Sequence, residues 1–450
     1  EFLTIENPDP VNNCQVNIEY LLGTGSPINK PVTVPPASRF TESVNSDLNT
    51  AANSGTYQTD SAIVSVTNPT ICAGVVAERP MYFTNFAGVS SGSDVLGSTH
   101  TGTTFYFADV PTGGGYASFL TVLNPGSTTA TVTATFVVGG ATVSSQSQTI
   151  SVAGGTRGTI IPNNSGTLLH AAVTVTSNQP VVVERPTYFS NINGENAHTV
   201  TGAASVVGVQ TLQKEWLFAE GYTGPGFQEN FVLANFGSTP VTANVVLEFS
   251  NGHTETMAEA IAPSDQTVVN VNNIVAGNLG TCDTSPCQPT QDVSADITGN
   301  GNFIAQREMY FQYNHVANGR NLSAMGGTDV IGEGVTGMSA YSFAEGYTNV
   351  GYDEWLTLQN PTATTETITL KLLNEDGRTF NDQFIVVAHS RFTIDITALV
   401  LQNLIVPNDT FKGYEVSLVA QSGAGAFVVE RPMYWNTGAS GTQGGSDVFG

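Results

Sequence analysis

The sequence predicts an all-β chain built as four tandem antiparallel β-sandwiches, and three observations carry that expectation. One phrase is written four times. It stands as Val75-Val76-Ala77-Glu78-Arg79-Pro80-Met81-Tyr82-Phe83, as Val182-Val183-Glu184-Arg185-Pro186-Thr187-Tyr188-Phe189 and as Val428-Val429-Glu430-Arg431-Pro432-Met433-Tyr434-Trp435. A degraded copy, Ala305-Gln306-Arg307-Glu308-Met309-Tyr310-Phe311, lies between the last two. Equivalent positions are 106, 122 and 124 residues apart, the length of a domain rather than of a solenoid coil. Between the copies lie strands that alternate Val and Thr with period two, parted by Gly, Asn, Asp and Pro. Helical periodicity is nearly absent. Its best stretch, Thr397–Leu401, is short enough to be a connection.

A second phrase sets the register. Phe107-Ala108-Asp109, Phe218-Ala219-Glu220-Gly221-Tyr222-Thr223 and Phe343-Ala344-Glu345-Gly346-Tyr347-Thr348 each precede an alternating strand that ends in Asn, usually followed by Pro. Examples are Phe119–Pro125 and Trp355–Pro361; Phe231–Phe236 lacks the proline. Proline has no amide donor and biases the residue before it away from the helix, so it stops the strand. Strands such as Thr131–Val138, Ala243–Phe249, Ala171–Thr176 and Glu415–Val419 follow, about seven to a repeat. The repeats are expected at residues 1–102, 103–213, 214–338 and 339–450.

The first repeat departs from this pattern. Glu1–Pro8 aligns with Glu354–Pro361, so residues 1–102 lack the Phe-Ala-Glu strand. The closing phrase Gly445–Gly450 aligns with Gly327–Gly332 and stops where that strand would recur. A window cut from a longer array is the expectation. The alternative is a strand donated by a neighbouring chain through β-augmentation.

Taken together, Phe-Ala-Glu-Gly-Tyr-Thr, the Leu-x-Leu-x-Asn-Pro strand, Val-Glu-Arg-Pro-Met-Tyr and the closing Gly-Gly-Ser-Asp-Val-x-Gly resemble tandem repeats of secreted bacterial surface proteins. Those repeats are mostly known only as domains of unknown function. The resemblance spans essentially the whole chain. It implies immunoglobulin-like sandwiches in an extracellular, non-enzymatic setting, and supplies no catalytic residue. The second repeat departs from it, with Asn196-Ala197-His198-Thr199-Val200-Thr201-Gly202 where the closing aspartate is expected.

Composition points the same way. Only 11% of residues are charged, and 37 acids against 13 bases give a net charge of −24. Such a chain repels nucleic acid and anionic lipid, and its hydroxyl-rich surface suits secretion. No apolar run is long enough to span a membrane. Four cysteines without C-x-x-C spacing or nearby histidines argue against zinc; as disulfides they would pair Cys14 with Cys72 and Cys282 with Cys287.

Scarce charge makes the recurring Glu-Arg step conspicuous. Arg79, Arg185, Arg307 and Arg431 account for nearly half of the arginines, and alternation puts Arg431 on the same face as Phe427, Val429, Met433 and Trp435. A guanidinium there needs an anion, and the recurring acids Asp109, Glu220 and Glu345 are its expected partners. Arg79 should then lack one. A second arginine recurs as Arg39, Arg157 and Arg391, with Gln266 in the third repeat, where Gln306 also replaces the motif glutamate. That joint loss predicts ion pairs Glu78–Arg39, Glu184–Arg157 and Glu430–Arg391 within each repeat, with Glu308 a possible stand-in for the lost acid.

A catalytic role for these pairs is disfavoured, because an enzyme rarely needs four sandwich-borne copies of one carboxylate site. Gly88–Gly92 matches G-x-S-x-G and Gly332–Gly337 matches G-x-G-x-x-G, but neither opens a helix. The histidines do not cluster. No cofactor is expected, although Asp94, Asp329 and Asp447 at the joints could take calcium. Strand-end aromatics, Phe83 and Phe86, Tyr310–Tyr313 and Tyr434–Trp435, could stack on a sugar or pack between repeats. The expectation is therefore a non-catalytic extracellular structural protein, independent sandwiches in series in a stalk, sheath or filament, whose partners are copies of itself or further repeats. The alternative is an adhesive or carbohydrate-binding region that contacts a glycan.

Overall fold

Alternation decides which side of each strand is buried. In Glu366–Asn374, Ile368, Leu370 and Leu372 are fully buried while Thr367, Thr369 and Lys371 point away, as a half-buried antiparallel strand requires. The computed structural model describes residues 1–23, 26–52, 59–162, 166–194, 198–278, 291–317, 320–334, 337–403, 414–423, 425–438 and 441–450. Strands make up 64% of it and helices 5%, so the chain is all-β.

Residues 339–450 show the sandwich-like layering most plainly. One sheet runs, in spatial order, Ala340–Phe343, Val416–Ser422, Glu366–Asn374 and Thr379–Val386; the other is built on Tyr352–Asn360, flanked by Ser390–Asp395 and by Val428–Glu430 and Met433–Asn436. Leu356 and Leu358 of the second sheet pack with Leu370, Leu372 and Leu418 of the first in one buried cluster. Residues 1–102 pair likewise, with Phe2–Asn7 between Ser38–Ser43 and Val76–Glu78 and with Cys14–Leu22 between Ile28–Val34 and Asp60–Val66. The Cys14–Cys72 disulfide ties that core, Cα to Cα 5.2 Å. Cys282 and Cys287 lie outside the described residues.

In the middle of the chain the motif strand is longer. Ala172–Asn193 and Val293–Ala317 each run through both sheets as a single ribbon, where residues 60–86 and 416–436 are broken into three strands. Three short helices follow the Ser-Arg-Phe-Thr strand or its counterpart: Val44–Ala52, Val271–Asn278 and Ile396–Asn403. The stretch Thr397–Leu401 lies in the last of them. Side-chain oxygens of Asn270 and Asp395 accept from the amides of Asn273 and Ala398, both at 2.8 Å, capping the helix starts.

The strand-ending asparagine does more than precede a proline. Asn7, Asn124, Asn235 and Asn360 are all 1% exposed or less. Each accepts from the amide two residues on and donates to carbonyls across the turn. Asn235 does this without a following proline, so the buried amide network, not the proline, closes the strand.

Candidate functional site: the charged joints

The four motif arginines leave their own repeat. Arg431 Nη2 donates to Glu78 Oε2 at 2.9 Å and to Asp94 Oδ2 at 2.5 Å, both in residues 1–102. Arg307 donates to Glu430 at 2.7 Å and to Asp447. Arg185 donates to Asp329, and Arg79 to Glu184 at 2.5 Å. Each arginine therefore grips the next repeat, and the last grips the first. Head-to-tail contacts of this kind form a closed cycle when the rotation returns on itself.

Aromatic rings repeat the same cycle. Phe83 meets Tyr188, Phe189 meets Tyr310, Phe311 meets Tyr434, and Trp435 meets Tyr82, all edge to face with centroids 5.0 to 5.5 Å apart. The Tyr-aromatic pair at the end of each motif supplies one ring to each side. Inside the cycle, the strands Val89–Ser93, Thr199–Val207, Arg320–Ile331 and Gln443–Ser446 contact one another in that order, and the fourth contacts the first. A Cβ added at Gly202 would stand 2.9 Å from the Cα of Gly326, and one at Gly326 would stand 3.2 Å from the Cα of Gly444. Close backbone approach at the centre is what the Gly-Gly of the closing phrase permits. In the G-x-S-x-G match the serine itself, Ser90, accepts from the Asn85 amide at 3.0 Å, and the next residue, Ser91, points into this packing.

These contacts correct the expected pairings. Arg39, Arg157 and Arg391 do not pair with Glu78, Glu184 and Glu430. Arg39 donates to Glu345 at 2.9 Å and Arg391 to Glu220 at 3.2 Å, each in the preceding repeat around the cycle. Gln266 donates to Asp109 at 3.4 Å in the same way. Within a repeat, Arg185, Arg307 and Arg431 do reach Asp109, Glu220 and Glu345, but through Nη1 to the backbone carbonyl rather than the carboxylate. Arg79 is not without an acid, because its carboxylate comes from the following repeat. Independent sandwiches in series are likewise ruled out by joints this buried.

The motif glutamate completes each joint. Glu78 Oε1 accepts from the amides of Ala344 and Glu345 at 2.7 and 3.3 Å, and Glu430 Oε1 from those of Ala219 and Glu220 at 2.7 and 3.1 Å. Gln306 accepts from the Asp109 amide through its carbonyl oxygen. Two carboxylates, one from the motif and one from the closing phrase, thus face Arg307 and Arg431. The register shows that Ser205, not residues 196–202, takes the aspartate's place: Arg185 lies opposite Val206 as Arg307 lies opposite Val330. Residues 195–197 lie outside the described residues. Where the aspartate is lost to Ser205, Glu184 remains; where the glutamate is lost to Gln306, Asp329 remains. Every arginine keeps an anion. Glu308 takes bonds from Gln306 and Tyr310 instead of from Arg185.

Burial sets the electrostatics. Arg185, Arg307 and Arg431 are fully buried. Burial disfavours their charge, but Glu78 and Asp94 overcome this at Arg431 and hold it above the usual range, as Glu430 and Asp447 do at Arg307. Phe343 and Phe218 lie beneath the two guanidiniums at 5.7 Å. Burial pushes Glu78 and Asp447 well up, and the second carboxylate beside each adds to the rise against the pull of the arginine. Asp109 is turned toward its own repeat by His170, Nδ1 at 2.5 Å, which explains why a neutral Gln266 suffices opposite it. The aspartates considered for calcium are engaged by guanidinium groups, and among the described residues no group of three ligating side chains stands together.

No protein-family model and no curated protein matches the sequence. Among solved structures, Thermotoga maritima 1070 matches at 13% identity, over 28% of this chain and 97% of that one, with a TM-score of 0.20. A tetra-tandem repeat in the extending region of a large adhesion protein matches at 11% identity, over 99% of this chain and 92% of that one, with a TM-score of 0.11. Both scores are too low to carry a structural equivalence.

Proposed function

We propose that the chain is a non-catalytic structural part of an extracellular bacterial surface assembly. In this proposal four immunoglobulin-like β-sandwich domains, residues 1–102, 103–213, 214–338 and 339–450, lock into one rigid block of a stalk, sheath or filament. The observation that carries it is the use of the repeated chemistry. The motif's glutamate, arginine and Tyr-aromatic pair are spent on neighbouring repeats, so the most conspicuous candidate for a site serves cohesion. A net charge of −24 and the Cys14–Cys72 disulfide suit an oxidising, extracellular location. No helix among the described residues is long and apolar enough to cross a membrane.

The adhesive alternative loses support where its aromatics are covered. Tyr310, Phe311, Tyr313, Tyr434 and Trp435 are buried between repeats, whereas Phe86 is 47% exposed. Antibody labelling of intact cells tests the proposal, with regular surface structures labelled as the expected result. Labelling only after permeabilisation would contradict it, and glycan-array retention abolished by Phe86→Ala would favour the alternative.

A further inference from the structure

The two joints in which one acid is replaced show what the second acid supplies in the other two. At Arg185, Gln306 stands in the glutamate's place. Its Nε2 donates to Asp329 Oδ2 at 3.2 Å, the same oxygen that takes the arginine. At Arg79, Ser205 stands in the aspartate's place, and its hydroxyl donates to Glu184 Oε1, again the oxygen that takes the arginine. In both joints a neutral neighbour gives a hydrogen to the carboxylate beside the guanidinium.

At Arg431 and Arg307 that neighbour is a second carboxyl group. Glu78 Oε2 and Asp94 Oδ2 share Arg431 Nη2, at 2.9 and 2.5 Å, and Glu430 Oε2 and Asp447 Oδ2 share Arg307 Nη2. The four acids are at most 4% exposed, and within each pair the carboxyl groups hydrogen-bond one another. Two ionised carboxylates offer acceptors alone and have no hydrogen to share. One proton between them supplies it, and leaves one negative charge for each guanidinium.

The surrounding charges add to the excess of acid rather than relieving it. Glu345 and Glu354 face the first pair, Glu220 and Glu229 the second, and Glu333 adds another acid near Glu430. The arginines Arg39 and Arg391 are taken by Glu345 and Glu220. Tyr82 adjoins Asp94, and Tyr434 adjoins Asp447. Burial, against the pull of the arginines, lifts Glu78 and Asp447 well above the carboxylate range. A group raised in this way stabilises the fold at low pH, and its contribution is lost on the alkaline side.

We propose that one proton shared by Glu78 and Asp94, and another shared by Glu430 and Asp447, lock the two joints that hold residues 339–450, and that raising the pH undocks these residues from both neighbours. Each proton leaves to solvent hydroxide. The two carboxylates of a pair then repel across a single guanidinium, buried where repulsion is least screened. Gln306 and Ser205 exempt their own joints from this loss. The lock belongs to the joints and goes beyond the cellular role proposed above.

Tryptophan emission and small-angle X-ray scattering followed from about pH 7 to about pH 10 test the lock. Trp435 meets Tyr82 across one joint, and Trp355 Nε1 donates to Tyr313 across the other. Opening should shift their emission reversibly to the red and enlarge the radius of gyration, with the circular dichroism spectrum unchanged. Glu78→Gln with Glu430→Gln copies Gln306 and should abolish the transition; Asp94→Ser with Asp447→Ser copies Ser205 and should do the same. Glu229→Gln with Glu354→Gln should move the transition to higher pH without removing it. A parent chain that stays closed to about pH 10, a transition that persists in either mimic, or its loss in the Glu229 and Glu354 variant overturns the proposal.

Discussion

The joint between residues 339–450 and 1–102 and the joint between residues 1–102 and 103–213 use the same parts to different completion. At the first, Arg431 is sealed with two carboxylates, Glu78 accepts two amides, and Arg39 holds Glu345. At the second, Arg79 meets Glu184 and, at 3.9 Å, Glu1 and is partly exposed, Ser205 stands for the aspartate, and Arg157 has no carboxylate within ion-pair distance among the described residues. The difference teaches that one strand, the Phe-Ala-Glu strand, organises two polar groups of the next repeat, Glu78 and Arg39, together with the motif arginine of its own repeat. Without it the ion pair survives, but the desolvation that makes it consequential does not.

The largest effect should separate the two arginines. Arg431→Ala leaves Glu78 and Asp94 buried without a counter-charge and should cost about 3–5 kcal/mol. Arg79→Ala, at the wetter joint, should cost about 1 kcal/mol or less. Guanidinium chloride unfolding of both variants measures this, and equal losses would break the comparison.

Next come the buried carboxylates behind the completed joints. Burial raises Glu229 and Glu354 to about 8, against the pull of Arg307 and Arg431 respectively. A carboxyl raised in the fold contributes its full stability below the unfolded value near 4.5, and that contribution is lost as pH rises through about 8. Glu354→Gln should therefore be neutral at pH 4 and stabilise by roughly 3 kcal/mol or more at pH 9. The corresponding residue of the second repeat is Ser118, so the pH dependence should map to the other joints; thermal unfolding against pH reads it.

Asn360→Ala tests whether closure depends on the strand ends as well as on charge. Losing three donated bonds from a fully buried amide should cost about 1–3 kcal/mol, with Asn235→Ala similar despite its missing proline. The smallest effect concerns His170. Burial lowers it, but the bond and charge of Asp109 prevail and raise it to about 9. Its stabilisation is present below pH 6.5 and fades as pH rises through 9. In His170→Gln that alkaline slope should flatten slightly, as stability measured from pH 6 to 10 would show.

Much of this was legible in the sequence because local rules governed it. Alternation in Thr131–Val138 put Val132, Ala134 and Phe136 on one face, and all three are buried; the Thr397–Leu401 stretch marked a helix. The Cys14–Cys72 pair was also legible. The helices at Val44 and Val271 were harder to see, since short segments rich in Asn carry little helical period. The Glu-Arg chemistry was recognised, but its partners were assigned to the wrong repeat. Each repeat carries the same set of groups, so one sequence cannot tell a pair within a repeat from the same pair across a joint. The joint loss at Gln306 and Gln266 was a true signal, because both face Asp109. The retention of Asp329 beside Gln306, and of Glu184 beside Ser205, was the clue that two acids serve one arginine. Glycines at the centre gave no hint of the close approach they allow.

Small-angle X-ray scattering of the chain in solution tests closure most directly. A block in which Arg431 grips Glu78 and Asp94 should have a radius of gyration of roughly 22 Å, the value for a compact body of this length. A radius about twice that, with the profile of an elongated rod, would mean the last repeat does not meet the first, and would contradict the closed cycle.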